Sequence, residues 1–243
     1  MKKIWFVAFL MVVAASADGG VVYRYSSFWG NPLIKGVSGR VWVEGTSQRE
    51  ELDPDTSNPR SWDVAISNGT ETRLVNLGNQ TWYWKKPAKV PTELQIELDG
   101  KPKIEHRVEE TETVAGRTAT KHVILFAYKQ VQNFGGTRVG TTFSTTVFLW
   151  IAHDLPTVPL RHFVSSPHDA VNRALTEVLE GIDGMPLRLR TSSTRRMDGG
   201  PPFTTFVETE ISGIELKDIA AAKFQVPPSF REQEPVYGFA SPE

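Results

Sequence analysis

The sequence predicts an α+β domain that is mostly β, and three observations lead to this fold class. Residues 112–122 form a predicted tight hairpin, because Gly116 adopts a positive φ at no steric cost and β-branched residues flank it. Residues 122–128 and 145–152 are apolar on both faces, which is typical of central strands covered on both sides. Short strands with regular turns follow one another elsewhere, which predicts a sandwich, a barrel or a barrel left open.

The N-terminus has the pattern of a secretory signal peptide. Two lysines precede an uncharged apolar run of about a dozen residues, and Ala-Ser-Ala then ends at Ala17, ahead of Asp18. A run this short favours a cleaved leader over a membrane anchor, which takes about 20 residues. We therefore expect a signal peptide at 1–17 that is cut after Ala17, a single domain at 18–243, and a periplasmic or secreted location.

Composition excludes several classes of function. Without the two leader lysines, 25 of the 27 basic side chains remain against 28 acidic ones, a net charge of −3. This balance gives no electrostatic footprint for nucleic acid. The chain has no cysteine, so disulfides, thiol catalysis and Cys-bound metals are excluded. No later stretch reaches transmembrane length, and we expect no integral membrane segment after signal cleavage.

The first half of the mature chain is predicted to be a series of short strands. These strands lie at 21–25, 39–45, 48–52, 62–66, 70–77 and 81–84. Asn68-Gly69 is the strongest hairpin signal among their turns, and the polar loop at 53–59 is expected to be exposed. The segment at 94–98 suits either a strand or a short helix.

One helix is predicted, at 167–180, ahead of a last hairpin with arms at 186–190 and 206–211. Ser166 can cap the helix, and Asp169 suits its positive N-terminal end. Its apolar residues form one stripe at helical spacing, made of Ala170, Val171, Ala174, Leu175, Val178 and Leu179.

The sequence carries no catalytic signature. The five histidines form none of the spacings that place two metal ligands on one face, and no Gly-x-Ser-x-Gly elbow occurs. His153-Asp154 is the most suggestive pair, and we interpret it as a loop dipeptide. His122 is expected to be a hydrogen-bonded structural residue. We therefore predict a protein that is not an enzyme and has no metal or cofactor.

The densest positive cluster consists of Arg188, Arg190, Arg195 and Arg196. Guanidinium groups bind phosphate well, so this cluster can meet lipid phosphates or an acidic partner. The alternative, which we favour, is pairing with Glu208 and Glu210 on the facing arm of the same hairpin.

A set of short motifs occurs in one order along the chain, at 39–43, 82–84, 111–117, 149–151, 184–188 and 224–227. In this order they resemble an exported bacterial domain-of-unknown-function family in the LolA/LolB-like superfamily of lipoprotein carrier and sorting proteins. The resemblance implies a curved antiparallel sheet, an unclosed barrel whose concave face is covered by helices and can admit an acyl chain. It implies no catalytic residue.

These observations lead to a hypothesis about the ligand. We expect a non-catalytic envelope protein that binds a lipid or a lipoprotein acyl chain in the half-barrel, with the helix as a lid. The candidate apolar lining consists of Trp82, Trp84, Phe126, Phe148 and Trp150. Which sheet face is concave stays open at this stage. The alternative is a protein-interaction or sensing module on the same fold, which binds another envelope protein and no ligand.

Overall fold

The computed structural model describes residues 19–30, 34–54, 62–85, 96–134, 136–164, 166 and 168–234. The predicted signal peptide at 1–17 lies outside the described residues, as does most of the predicted loop at 53–59. No helix in the described ranges has both the length and the apolar character needed to span a membrane.

The described residues are mostly strand, which confirms the predicted α+β, mostly β fold class. The strands are β1 (Gly20–Trp29), β2 (Ile34–Glu44), β3 (Ser47–Leu52), β4 (Val64–Ser67), β5 (Thr72–Asn76), β6 (Thr81–Trp84), β7 (Ile96–Leu98), β8 (Lys103–Val114), β9 (Arg117–Phe134), β10 (Thr137–Ala152), β11 (Met185–Met197), β12 (Pro202–Lys217) and β13 (Arg231–Glu232). The helices are α1 (Asp169–Leu179) and two 3₁₀ turns, Leu160–His162 and Ala221–Phe224.

All of these strands belong to one curved, unclosed sheet. Their order is β13-β6-β5-β4-β3-β2-β1-β12-β11-β10-β9-β7, and β8 pairs with β9 beside β7. Neighbouring strands are antiparallel, apart from the parallel pair of β13 with β6. The two segments predicted to be apolar on both faces, 122–128 and 145–152, pair with each other, since Val147 on β10 lies opposite Ile124 on β9.

The predicted hairpin is the turn between β8 and β9. Gly116 has a φ of 76°, as expected, and Ala115 also has a positive φ, of 50°. Two successive positive φ values form the type I′ turn, whose twist matches that of the flanking strands. The turn therefore places a residue with a Cβ where glycine is favoured.

The helix α1 packs against one face of the sheet, which we call the inner face; the opposite face is the outer face. Val171, Leu175 and Leu179 of α1 are buried, and they join Ile124 and Leu149 in one apolar cluster. The predicted helical stripe is therefore confirmed. The predicted cap is wrong, because His168 is the N-cap residue and makes no side-chain capping bond.

The C-terminal segment covers the other half of the sheet, on the outer face. Phe224, Val226 and Phe230 pack with Val64 and the strands around it. Phe224 also contacts the neighbouring cluster around Trp42. The sheet is thus covered on opposite faces in its two halves, which leaves part of the inner face open.

Candidate ligand-binding cavity

A cavity of 330 Å³ lies on the part of the inner face that α1 does not cover. Strand alternation places side chains from five strands around it. Its lining consists of Tyr23, Tyr25, Ser27, Val41, Gln48, Glu50, Phe163, Leu189, Thr191, Val207 and Thr209. The cavity therefore crosses the sheet from β3 to β11, with β2, β1 and β12 between them.

The apolar part of the cavity is continuous with the buried core. Val41 and Leu189 are 3% and 5% exposed, so only a small part of each reaches the cavity. Phe163, in the loop between β10 and α1, packs against both large apolar clusters. This ring separates the cavity from the part of the inner face that lies under α1.

Four polar residues of the cavity bond to one another in pairs. The Tyr25 hydroxyl donates a hydrogen bond to Oε1 of Glu50, and the hydroxyls of Ser27 and Thr209 are 3.0 Å apart. Burial raises the pKa of the Tyr23 phenol, and the Glu50 carboxylate adds to the rise. Tyr23 therefore stays protonated at physiological pH, and its hydroxyl remains a donor.

This arrangement can orient a molecule that has one apolar and one polar part. Small-molecule sites combine apolar walls with a few placed polar groups, usually in volumes of about 300–1,000 Å³. The volume here is at the low end of that range, which suits one acyl chain better than a whole two-chain lipid.

Two further cavities lie toward the opposite end of the inner face. One, of 290 Å³, lies between the loop that leads to α1 and the end of α1, and its lining includes Val158, Leu160 and Leu179. The other, of 530 Å³, lies beside Val21 and Val43 under residues 154–157. Val43 is the next inner-face residue of β2 after Val41, so the cavities follow one line along this strand.

The structure does not bring the five predicted lining residues together. Trp82 and Trp84 lie on the outer face of β6, with ring centroids 5.4 Å apart. The Arg73 guanidinium lies over both rings, with its Cζ 5.5 Å and 4.6 Å from their centroids. Trp82 and Phe230 of the C-terminal segment pack against the same buried cluster, which contains Val64.

The other three predicted residues are divided between the two faces. Phe126 lies on the inner face, in the cluster that contains α1. Phe148 and Trp150 lie on the outer face, where Lys121 Nζ is 5.1 Å and 5.7 Å from their ring centroids. The expected lid, α1, therefore packs over Phe126 and on the face opposite Phe148 and Trp150.

The favoured pairing of the arginine cluster is confirmed for two of its members. Arg190 Nη2 is 2.8 Å from Oε2 of Glu208, and Arg188 is 3.7 Å from Glu208 and 3.5 Å from Glu210. Arg188 also lies over the Trp150 ring, with Cζ at 5.6 Å. A charged and aromatic layer thus covers the outer face of the strands that α1 supports from the inner face.

His122 is a hydrogen-bonded core residue, as expected. Its Nδ1 is 3.1 Å from Nε2 of His106, with the two rings stacked, while its buried Nε2 has no partner among the described residues. Burial lowers the pKa of His122 to about 4, and His106 and His153 add to the shift. No three His, Cys, Asp or Glu residues within the described ranges are grouped so that they could hold a metal ion.

The cavity residues were not selected from the sequence, although a signal for them exists. Tyr23, Tyr25 and Ser27 alternate along β1, as Val207 and Thr209 do along β12. Each set is the inner-face half of its strand, and the two strands pair with each other although they are far apart in the chain. Alternation groups the residues within each strand, but the face they share becomes visible only when the strands are paired.

The comparisons with known proteins leave the function open. No protein-family model and no curated protein matches the chain. Among solved structures, the chain is similar to an uncharacterized conserved protein from Thermus thermophilus, with 9% sequence identity and a TM-score of 0.40 over 90% of this chain and 91% of that one. The function has to be inferred from the geometry of this chain.

Proposed function

We propose that this chain is an exported, non-catalytic envelope protein that binds one acyl chain, or another elongated hydrophobic molecule, in its half-barrel. The observation that carries the proposal is the inner-face cavity of 330 Å³, whose lining is partly apolar and partly polar. The order of motifs that resembles the LolA/LolB-like carriers supports the same function and remains a prediction.

The cavity suggests how such a ligand lies. The hydrocarbon chain contacts Val41, Phe163 and Leu189, and its polar end faces the hydroxyls of Ser27 and Thr209. Each CH₂ group removed from water contributes about 0.8 kcal/mol, so a chain that is only partly enclosed still binds measurably. A free fatty acid and a lipoprotein acyl chain share this chemistry, and both are candidate ligands.

A protein-interaction or sensing module remains the second candidate, and one observation favours it. Most of the inner-face apolar side chains between β9 and β11 are already buried under α1, as Ile124 and Leu149 illustrate at 0% exposure each. A protein that binds only another envelope protein needs no more interior space than this. The two candidates differ in whether the cavity beside Phe163 holds a ligand.

Native mass spectrometry tests the proposal directly. The full chain is expressed in a bacterial host, the exported protein is purified without detergent, and bound lipids are identified after extraction. We expect a bound species with the mass of a fatty acid or a single-chain lipid. Recovery from the periplasm tests export in the same experiment.

A pair of neighbouring substitutions controls this measurement. Thr191→Phe places a ring in the cavity, whereas Ser192→Phe places the same ring on the outer face of the same strand. We expect Thr191→Phe to abolish the bound species and Ser192→Phe to retain it. If no lipid accompanies the original protein, and added fatty acids bind both variants equally, the acyl-chain proposal fails and the interaction module is left.

A further inference from the structure

Exposed apolar side chains are concentrated at one end of the inner face. We call this group the apolar rim. It consists of Trp29, Ile34, Met197 and Phe203, which are 52%, 71%, 54% and 54% exposed. Four adjacent strands, β2, β1, β12 and β11, contribute one residue each. Exposed apolar groups that cluster in this way mark interaction surfaces, whereas scattered ones do not.

Strand register places the apolar rim on the same face as the cavity. Trp29 lies opposite both Ile34 and Val207, and Val207 lines the cavity. Phe203 precedes Val207 by four residues along β12, so the two side chains point to the same face. The apolar rim therefore continues the cavity toward the end of the sheet.

Two of the rim side chains are held in place while they remain exposed. A Cβ on Gly36 would lie 2.9 Å from Cδ1 and Nε1 of Trp29, so the indole ring rests on a backbone that has no side chain. Arg195 Cζ is 5.0 Å from the centroid of the Phe203 ring. The rim is thus a prearranged surface, and its exposure does not come from a loose chain end.

Exposed arginines lie at the same end of the sheet as the rim, on both faces. Arg195 lies on the inner face beside Phe203, whereas Arg138 and Arg196 point to the outer face at the same end of the sheet. All three are exposed, and none of them forms an ion pair with any residue that the structure describes. The nearby Asp198 accepts a hydrogen bond from the Gly140 amide and lies 3.8 Å from Lys129. Arg188 and Arg190, further along β11, are instead neutralised by Glu208 and Glu210.

We propose that this end of the sheet, with the apolar rim on its inner face and the three arginines divided between its two faces, docks onto an anionic lipid bilayer. Tryptophan concentrates at the boundary between head groups and acyl chains. Arginines beside it are attracted to anionic head groups and bind their phosphates through guanidinium forks. Exposed apolar side chains at the same end of the sheet as cations without an ion pair fit this boundary better than a protein surface, which would have to supply matching carboxylates. The inference goes beyond the proposed function, because docking does not require an occupied cavity.

Flotation with lipid vesicles tests the docking surface. The exported protein is mixed with vesicles of phosphatidylglycerol or of phosphatidylcholine, at low and at physiological salt. We expect binding to the anionic vesicles, weaker binding as salt rises, and little binding to the zwitterionic ones. Equal binding to both vesicle types, or no binding to either, would overturn the proposal.

Matched variants locate the surface. Trp29→Ser with Phe203→Ser removes two rim side chains, and we expect vesicle binding to weaken by about tenfold or more. Leu77→Ser with Leu216→Ser removes two side chains of similar exposure, 48% and 53%, that lie elsewhere, and we expect no change. Both double variants should keep the original circular dichroism spectrum, since all four side chains are exposed.

The arginines are tested in the same way. Arg195→Gln with Arg196→Gln should remove most of the salt dependence, while Arg107→Gln with Arg117→Gln, which lie on other strands, should preserve it. Thr191→Phe should bind vesicles as the original protein does, so failure of the acyl-chain proposal and failure of docking are distinguishable. If the rim variants bind vesicles normally but turn a dimer into a monomer in sedimentation equilibrium, the rim is a protein interface and the docking proposal fails.

Discussion

The two halves of the sheet bury their apolar side chains on opposite faces. Strands β9 to β11 bury their inner face under α1, and strands β2 to β6 bury their outer face under the C-terminal segment. On the outer face of β9 to β11, Lys121 and Arg188 lie over the Trp150 ring, and Glu208 pairs with Arg188.

This difference explains where the cavity lies. The loop before α1 reaches across the inner face as far as Phe163, and beyond this ring the face is open over β1 and β12. A cover on each face, displaced along the sheet, leaves one stretch of the inner face without a cover. The candidate binding site and the apolar rim both lie in that stretch.

Helix α1, which covers the inner face, should contribute more stability than the C-terminal segment, which covers the outer face. This is the largest effect that we expect. Leu175 of α1 is 1% exposed, so Leu175→Ala leaves a cavity and should cost about 2–5 kcal/mol. Phe224 of the outer cover is half-buried, so Phe224→Ala should cost about 1–3 kcal/mol. Urea denaturation measures both, and Val178→Ala in α1, also half-buried, controls for the change in helix sequence. Equal losses for Leu175 and Phe224 would contradict the ranking.

Acidification should destabilise the two halves of the sheet in different pH ranges. In the half that α1 covers, burial lowers the pKa of His122 from 6.5 to about 4. The unfolded chain then binds more protons than the folded one between these values, so stability falls as the pH drops from 6.5 toward 4. In the half that the C-terminal segment covers, burial acts to raise the pKa of Glu51, but hydrogen bonds from Lys223 and Arg49 outweigh this effect and lower the pKa. The stability that the ionised Glu51 carboxylate contributes is lost only below pH 4.5, the ordinary pKa of a glutamate.

The effect of His122 on stability can be measured in a pH range above that in which the carboxylates titrate. Between pH 7 and 5, we expect the free energy of unfolding to fall by roughly 1–2 kcal/mol. His122→Phe should remove most of this slope. His168→Gln should change it less, because burial lowers the pKa of His168 and Asp169 acts in the opposite direction. An unchanged slope in His122→Phe would show that another group titrates in this window.

The charged layer on the outer face offers a smaller effect with a matched control. Glu208 is 7% exposed and lies between Arg188 and Arg190, so Glu208→Gln should cost about 1 kcal/mol. Both arginines reach solvent, which keeps the loss below that of a fully buried pair. Glu210→Gln removes an exposed partner and should change the free energy of unfolding by less than about 0.5 kcal/mol. Equal effects would mean that the burial of Glu208 is unimportant.

The fold was predictable from local sequence wherever one strand or one helix carries its own pattern. The turn at Gly116, the two strands covered on both faces and the stripe of α1 were all correctly predicted. The full length of β8 was not predicted, because its residues are mostly charged, as suits a strand near the edge of a sheet. The C-terminal cover was also missed, since Phe224, Val226 and Phe230 follow no helical or strand period.

The cavity was less predictable, for a different physical reason. Alternation shows that Phe148 and Trp150 share a face, and that Ile124 and Phe126 share one. It does not show that β9 and β10 pair in the register that puts these two sets on opposite faces. Nor does it show on which face α1 packs. Both facts depend on contacts between residues far apart in the chain, so large aromatic residues were chosen as lining in place of Tyr23, Ser27 and Thr209.

The smallest effect is expected at the turn between β8 and β9, which lies outside both covers. Ala115 has a φ of 50°, and an L-residue with a side chain loses about 1–2 kcal/mol in this region. Ala115→Gly relieves that cost but adds about 0.5–1 kcal/mol of chain entropy to the unfolded state, so we expect a net gain of about 0.5 kcal/mol. Gly116→Ala, at a φ of 76°, should destabilise the protein by a similar or larger amount. A Cβ at Gly116 would meet no atom within 4 Å, so its loss would come from backbone strain alone. Urea denaturation of the two variants gives opposite shifts if the type I′ turn is formed in solution, whereas a loss of stability in Ala115→Gly would mean that the alanine is not strained there.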